Sequence, residues 1–239
     1  MIPIHDDNPT TLRPFVTVGL IVLCVLVFLW QLGQPQAAQE RIFYALGLIP
    51  AVLFGHVALP PELAWVSPEA SLITSMFVHG GLLHLGGNML YLWIFGNNVE
   101  DAMGHGRFVV FYLLCGVAAA LAQAGLAPQS QVPMVGASGA IGGVLGAYLL
   151  LHPRAMILVV VPIFFYIQMI RVPAFLVLGL WFLLQFLGTA EVTEGGGIAY
   201  GAHIGGFLAG MALIPFFRRP GVPLLDRDRP ARFRRGPWG

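Results

Sequence analysis

The sequence predicts an all-α membrane protein, a bundle of six transmembrane helices with a short, central fourth helix. Three observations carry that class. Of the 239 residues, 57% are hydrophobic and only 10% charged, with mean hydropathy +0.80, too little charge for an ordinary aqueous surface. Six long apolar runs stand out, over residues 15–32, 82–95, 108–126, 137–151, 172–187 and 198–217. The basic residues are all arginine, and seven of the twelve fall between Arg218 and Arg235. Six crossings from a cytoplasmic N-terminus put those seven on the inner side with Arg13, Arg107, Arg154 and Arg171, and leave only Arg41 outside.

Taken in order, residues 1–14 carry Asp6 and Asp7 and no basic n-region, and the run behind them is long. A retained first span is therefore expected rather than a cleaved signal peptide. Cys24 and Cys115 fall inside the first and third spans without metal-ligand neighbours and read as packing residues. Segment 33–71 is a long outer connection. Its apolar stretch 42–57 is broken by Gly47, Pro50 and Gly55 and should lie along the interface, a setting that suits Trp65 and Pro60-Pro61.

The second and fourth spans are short for lipid-exposed helices and belong inside the bundle, where a helix can start below the membrane surface and leave a water-filled recess above it. Loop 96–107, with Glu100, Asp101, His105 and Arg107, is expected to be a solvated inner connection. Residues 155–170 are apolar enough for another crossing. Counting them as one would reverse the last span and export the arginine tail, so an interfacial turn or hairpin interrupted by Pro162 is expected instead. The acidic outer loop 188–197 closes with three glycines and is a candidate mobile cover. The tail should act as a solvated anchor attracted to anionic lipid. No linker or repeat divides the chain. One domain over 15–217 follows, flanked by a cytoplasmic N-terminus (1–14) and a cytoplasmic arginine-rich tail (218–239).

Polar residues inside these spans are few, and three groups share the outer depth. Ser138 begins the fourth span, where free backbone N–H groups and the helix dipole favour a developing anion. His84 and Asn88, four apart, share one face of the second span, with His79 in the loop before it. His203 sits in the first two turns of the last span, above Gly206 and Gly210, and Gly139 with Gly143 gives the fourth span a matching face without bulk. Singly, each group is ordinarily packing, loop bracing or interhelical hydrogen bonding. A zinc site lacks the H-E-x-x-H spacing and a nearby carboxylate. Together the three groups offer a hydroxyl nucleophile, an imidazole base and donors for an oxyanion, without a carboxylate orienter.

These residues resemble the rhomboid family of intramembrane serine proteases: Gly136-Ala137-Ser138-Gly139 matches G-x-S-G, His79, His84 and Asn88 match H-x4-H-x3-N, and Ala202, His203, Gly206 and Gly210 match A-H-x2-G-x3-G. The likeness runs from about residue 73 to 217. It implies a six-span rhomboid-like bundle and hydrolysis of peptide bonds in or beside the transmembrane segments of other membrane proteins. Ser138 would be the nucleophile and His203 the base, with His84, Asn88 and the Ser138 N–H at the oxyanion and His79, Gly136, Gly139, Gly206 and Gly210 in support. No metal, organic cofactor or nucleic acid is implied, and the partners are membrane-protein substrates and the lipid bilayer. Two places depart from the pattern: Gly142 stands where an aromatic often follows the nucleophile by four, and Ala70-Ser71 where a Trp-Arg pair is often found. A second reading is a catalytically silent relative that binds membrane-protein clients, although such members typically lack the serine or the histidine. A third, a small transporter, would need polar groups along the whole depth of the bundle, and the inner halves of the spans are almost wholly apolar. The all-arginine basic set and the N-terminal segment point to a bacterial plasma membrane.

Overall fold

The computed structural model describes residues 2–163, 166–188 and 199–225. In chain order the elements are β1 (Ile2–Asp6), α1 (Phe15–Leu32), α2 (Gln36–Leu46), α3 (Pro50–Leu53), α4 (Ser71–Thr74), a 3-10 turn (Ser75–Phe77), α5 (Leu82–Met103), α6 (His105–Leu126), α7 (Ser138–Leu151), β2 (Met156–Ile163), β3 (Tyr166–Pro173), α8 (Ala174–Gly188) and α9 (Tyr200–Phe217). Helices α1, α6 and α9 are long and apolar enough to cross a membrane, while α7 and α8 are shorter apolar helices. Of the expected cover 188–197 only Gly188 is among the described residues, and of the expected tail only 218–225.

α7 is the buried centre of the bundle, with Ala140, Val144, Leu145, Ala147, Tyr148 and Leu151 almost inaccessible. Its most extensive helix contact is with α9. Glycine makes that contact possible: a Cβ at Gly206 would collide with the Gly139 carbonyl, and one at Gly210 with the Gly143 carbonyl. The two main chains therefore touch, as small-residue faces allow where no hydrophobic effect drives helices together.

Two expectations are corrected. The class is not purely helical, because β1, β2 and β3 form an antiparallel sheet in that order, pairing Asp6 with Ile157 and Met156 with Pro173. The stretch anticipated as a turn or hairpin is a β-hairpin. β-Branched residues fill it, and Ile157 and Val159 on one face are fully buried. Pro162, which has no N–H to give, lies past Val160, the last residue of β2 paired with β1.

The second correction concerns α5, which does not stop at Phe95 but runs on to Met103, so most of the anticipated solvated loop is helix. Glu100 in that extension is wholly buried. It accepts from the N–H groups of Val16 (2.9 Å) and Thr17 (2.8 Å) and from the Thr17 hydroxyl (2.7 Å), and it pairs with His105 Nδ1 at 2.6 Å. Thus α1, which follows Pro14 and has no capping side chain of its own, has its first-turn donors met by a carboxylate from another helix. Asp101 takes the Thr11 N–H and hydroxyl and the Leu12 N–H, and Arg219 Nη2 reaches it at 3.2 Å. Asp6 of β1 accepts from Tyr148 Oη (2.7 Å) and Asn98 Nδ2 (2.8 Å), and burial pushes its carboxyl up to about 7. One end of the bundle is thereby tied to the segments before α1 and after α9.

Candidate active site

At the opposite end the N-termini of α5, α7 and α9 converge. The chain reaches α7 through Gly136, whose φ of +123° is open to glycine and strained for other residues. A Cβ there would also stand 2.6 Å from His84 Nε2, so the backbone passes against that imidazole. Two ties hold the approach: Gly136 N–H to the Ser75 carbonyl at 2.8 Å, and an isolated β-bridge between Leu48 and Met134. Ser138 then starts α7, half-buried, with its hydroxyl at the helix N-terminus.

His203 lies in the first turn of α9. Its Nε2 is 2.8 Å from Ser138 Oγ, across 65 residues of sequence. Its Nδ1 is 2.7 Å from Gln185 Oε1 of α8. The Trp181 ring lies 5.8 Å from the imidazole at 35°, and Tyr200 meets it edge-on at 6.5 Å. Gly142 leaves no room for an aromatic, since a Cβ there would stand 2.9 Å from the His203 carbonyl oxygen.

His84 Nδ1 accepts the Gly80 N–H at 3.3 Å, so a neutral ring carries its proton on Nε2, the nitrogen that faces Gly136. One turn on, Asn88 is buried, and its Nδ2 has no partner among the described residues. His79 does not join Ser138. It is fully buried and stacks edge-on against His84 at 5.3 Å, while Gln31 of α1 exchanges hydrogen bonds with its backbone at 3.1 and 3.2 Å. Its part is to brace the loop that carries His84. A cavity of about 30 Å³, lined by Ser75, Met76, Gly136, Ser138, Gly139 and Ala202 among others, has space for a water-sized guest beside the hydroxyl. Among the described residues no three His, Cys, Asp or Glu side chains converge as a metal would require.

The geometry therefore brings together Ser138, His203, His84 and Asn88, with Gly136, Gly139, Gly206 and Gly210 setting the backbone approach around them. Sequence reasoning missed Gln185 and Trp181. The signal was present, because Gln185 is the one strongly polar residue in the run 172–187, but nothing in that run says which helix it faces. Chemically, a hydroxyl hydrogen-bonded to an imidazole and flanked by N–H donors at a helix N-terminus can add to a carbonyl and hold the resulting oxyanion.

Comparison with known proteins gives the family. A family model described as Rhomboid domain matches residues 68–220. Rhomboid protein 1, mitochondrial, of Saccharomyces cerevisiae is 32% identical over 191 residues, covering 72% of this chain and 52% of that protein. Rhomboid protease GluP of Bacillus subtilis is 43% identical over 89 residues, covering 36% of this chain and 17% of that protein. The presenilin-associated rhomboid-like protein, mitochondrial, of Homo sapiens is 31% identical over 132 residues, covering 54% and 31%. The chain spans about half or less of the length of these relatives.

Proposed function

The chain belongs to the rhomboid family and is an integral membrane protein; from that premise we propose that it is a serine endopeptidase cutting peptide bonds in or next to transmembrane segments of other membrane proteins. The observation that carries the reading is the 2.8 Å contact between Ser138 Oγ and His203 Nε2. His203 takes the hydroxyl proton as Ser138 attacks the scissile carbonyl, and then gives it to the leaving amine. The tetrahedral oxyanion is met by His84 Nε2–H, Asn88 Nδ2 and the Ser138 N–H. Water, activated by the same imidazole, releases the acyl group and restores the serine.

In this reading α1, α5, α6, α7, α8 and α9 cross the bilayer, with the Ser138 end outward and the Glu100 end on the cytoplasmic side, as the arginine bias suggests. The 14 residues of α7 span about 21 Å, roughly 9 Å short of a hydrocarbon core of about 30 Å, which sinks Ser138 below the outer surface. A substrate helix must unwind locally to present its carbonyl there, so small and helix-breaking residues are expected at the cut.

The test is cleavage of a single-span reporter in liposomes. The parent protein should cut it, and Ser138→Ala should be slower by about a thousandfold or more with unchanged folding. Equal rates would remove the reading.

A further inference from the structure

Resting on that reading of Ser138 and His203, we propose that Gln185 of α8 is a positioning residue, holding the His203 imidazole in the tautomer whose bare Nε2 faces the serine hydroxyl. An amide side chain is ambiguous at one end, because its oxygen and nitrogen have nearly the same shape. Here the other end decides. Gln185 Nε2 donates to the Trp181 carbonyl one turn earlier, at 3.2 Å, and a carbonyl only accepts. The NH2 is thereby committed to the helix backbone and the oxygen is turned to His203 Nδ1, at 2.7 Å.

An acceptor at that distance obliges Nδ1 to carry the proton. Nε2 then offers its lone pair to Ser138 Oγ, the form in which it can take a proton. Without the amide, a neutral imidazole is free to place its proton on Nε2, where it would point at the hydroxyl and block the transfer. Among the described residues no Asp or Glu side chain hydrogen-bonds to His203, so the amide oxygen occupies the place a carboxylate takes in a triad, without a charge at membrane depth.

Sidewise support comes from the same helix. Trp181 covers the imidazole at 5.8 Å, in a bundle where Gly142 leaves no space for an aromatic. A glutamine serving only its own hydrogen-bonding needs would have no effect on which nitrogen of His203 is protonated. That difference separates positioning from simple packing.

The experiment compares the parent, Gln185→Leu and Gln185→Glu by the 15N spectrum of the His203 ring and by reporter cleavage. The parent should show the Nδ1–H tautomer. Gln185→Leu should lose it in part or wholly, with kcat lower by about tenfold, the worth of one hydrogen bond, and KM unchanged. Gln185→Glu, whose carboxyl oxygen still accepts, should keep the tautomer and most of kcat. Parent-like tautomer and kcat in Gln185→Leu, or a Glu variant as impaired as the Leu variant, would overturn the proposal. The spectrum needs no substrate, so it stands apart from the protease reading, which fails only if Ser138→Ala cleaves as fast as the parent.

Discussion

At the Glu100 end of the bundle, Glu100 meets the first turn of α1 and His105, Asp101 gathers three donors from residues 11 and 12, and Asp6 receives Tyr148 and Asn98. At the Ser138 end, among the described residues, Asn88 Nδ2 and His79 Nε2 are buried without a partner and no carboxylate hydrogen-bonds to His84 or His203. Both ends bury polar atoms, and at the Glu100 end the three carboxylates are met within the chain, although Arg218 Nε and Arg219 Nε there also lack a partner among the described residues. A buried donor left alone costs about 1–3 kcal/mol, and in the proposed mechanism the Asn88 amide is met by the substrate oxyanion. In the proposed mechanism the Ser138 end receives an oxyanion, while the carboxylate ties of the Glu100 end hold the fold together.

The sharpest way to break that division is Asn88→Ala. It should lower kcat by about a hundredfold, as loss of an oxyanion donor does, while leaving the unfolding midpoint unchanged or slightly higher because an unmet donor has gone. A stability loss with intact turnover would assign Asn88 to the scaffold. Glu100→Gln should show the mirror image. It removes the charge that meets the α1 N-terminus and should cost about 2 kcal/mol in detergent unfolding, with turnover per folded molecule preserved. The smallest effect is the pH response of Asp6. Burial raises its carboxyl from the usual 3.8 to about 7, so the stability of the neutral form is fully present below the lower value and is lost as pH rises through the higher one. Midpoints measured across that window should fall for the parent, and Asp6→Asn should remove that component of the slope.

The contrast also explains what could be read from the sequence. The apolar run 15–32 coincides with α1, because an unbroken hydrophobic stretch and a preceding proline define a helix from local information alone. Ser138, His84, Asn88 and His203 were legible for a related reason, as isolated polar groups within glycine-rich apolar runs. The Glu100 end was not. Gly96-Asn97-Asn98 ends the apolar pattern at Phe95, yet helical hydrogen bonds do not require apolar side chains and α5 continues. Glu100 reads as solvated until its partners are known, and they lie 83 and 84 residues away. Composition and charge predict an interfacial turn or hairpin over 155–170. Its enlistment of residues 2–6 as a third strand depends on an encounter between distant segments that no local period encodes. Gln185 escaped for the same reason, since its meaning lies in the helix opposite.

The main-chain contact of α7 with α9 leaves Ser138 and His203 no slack. Ordinary cores absorb an extra methyl by turning a neighbouring rotamer, but between Gly206 and Gly139 there is only peptide to push against. A wedge inserted there would tilt α9 and open the gap at its N-terminal end, where serine and imidazole meet. The spacing of Ser138 Oγ and His203 Nε2 is thus set by hydrogens where side chains could have been.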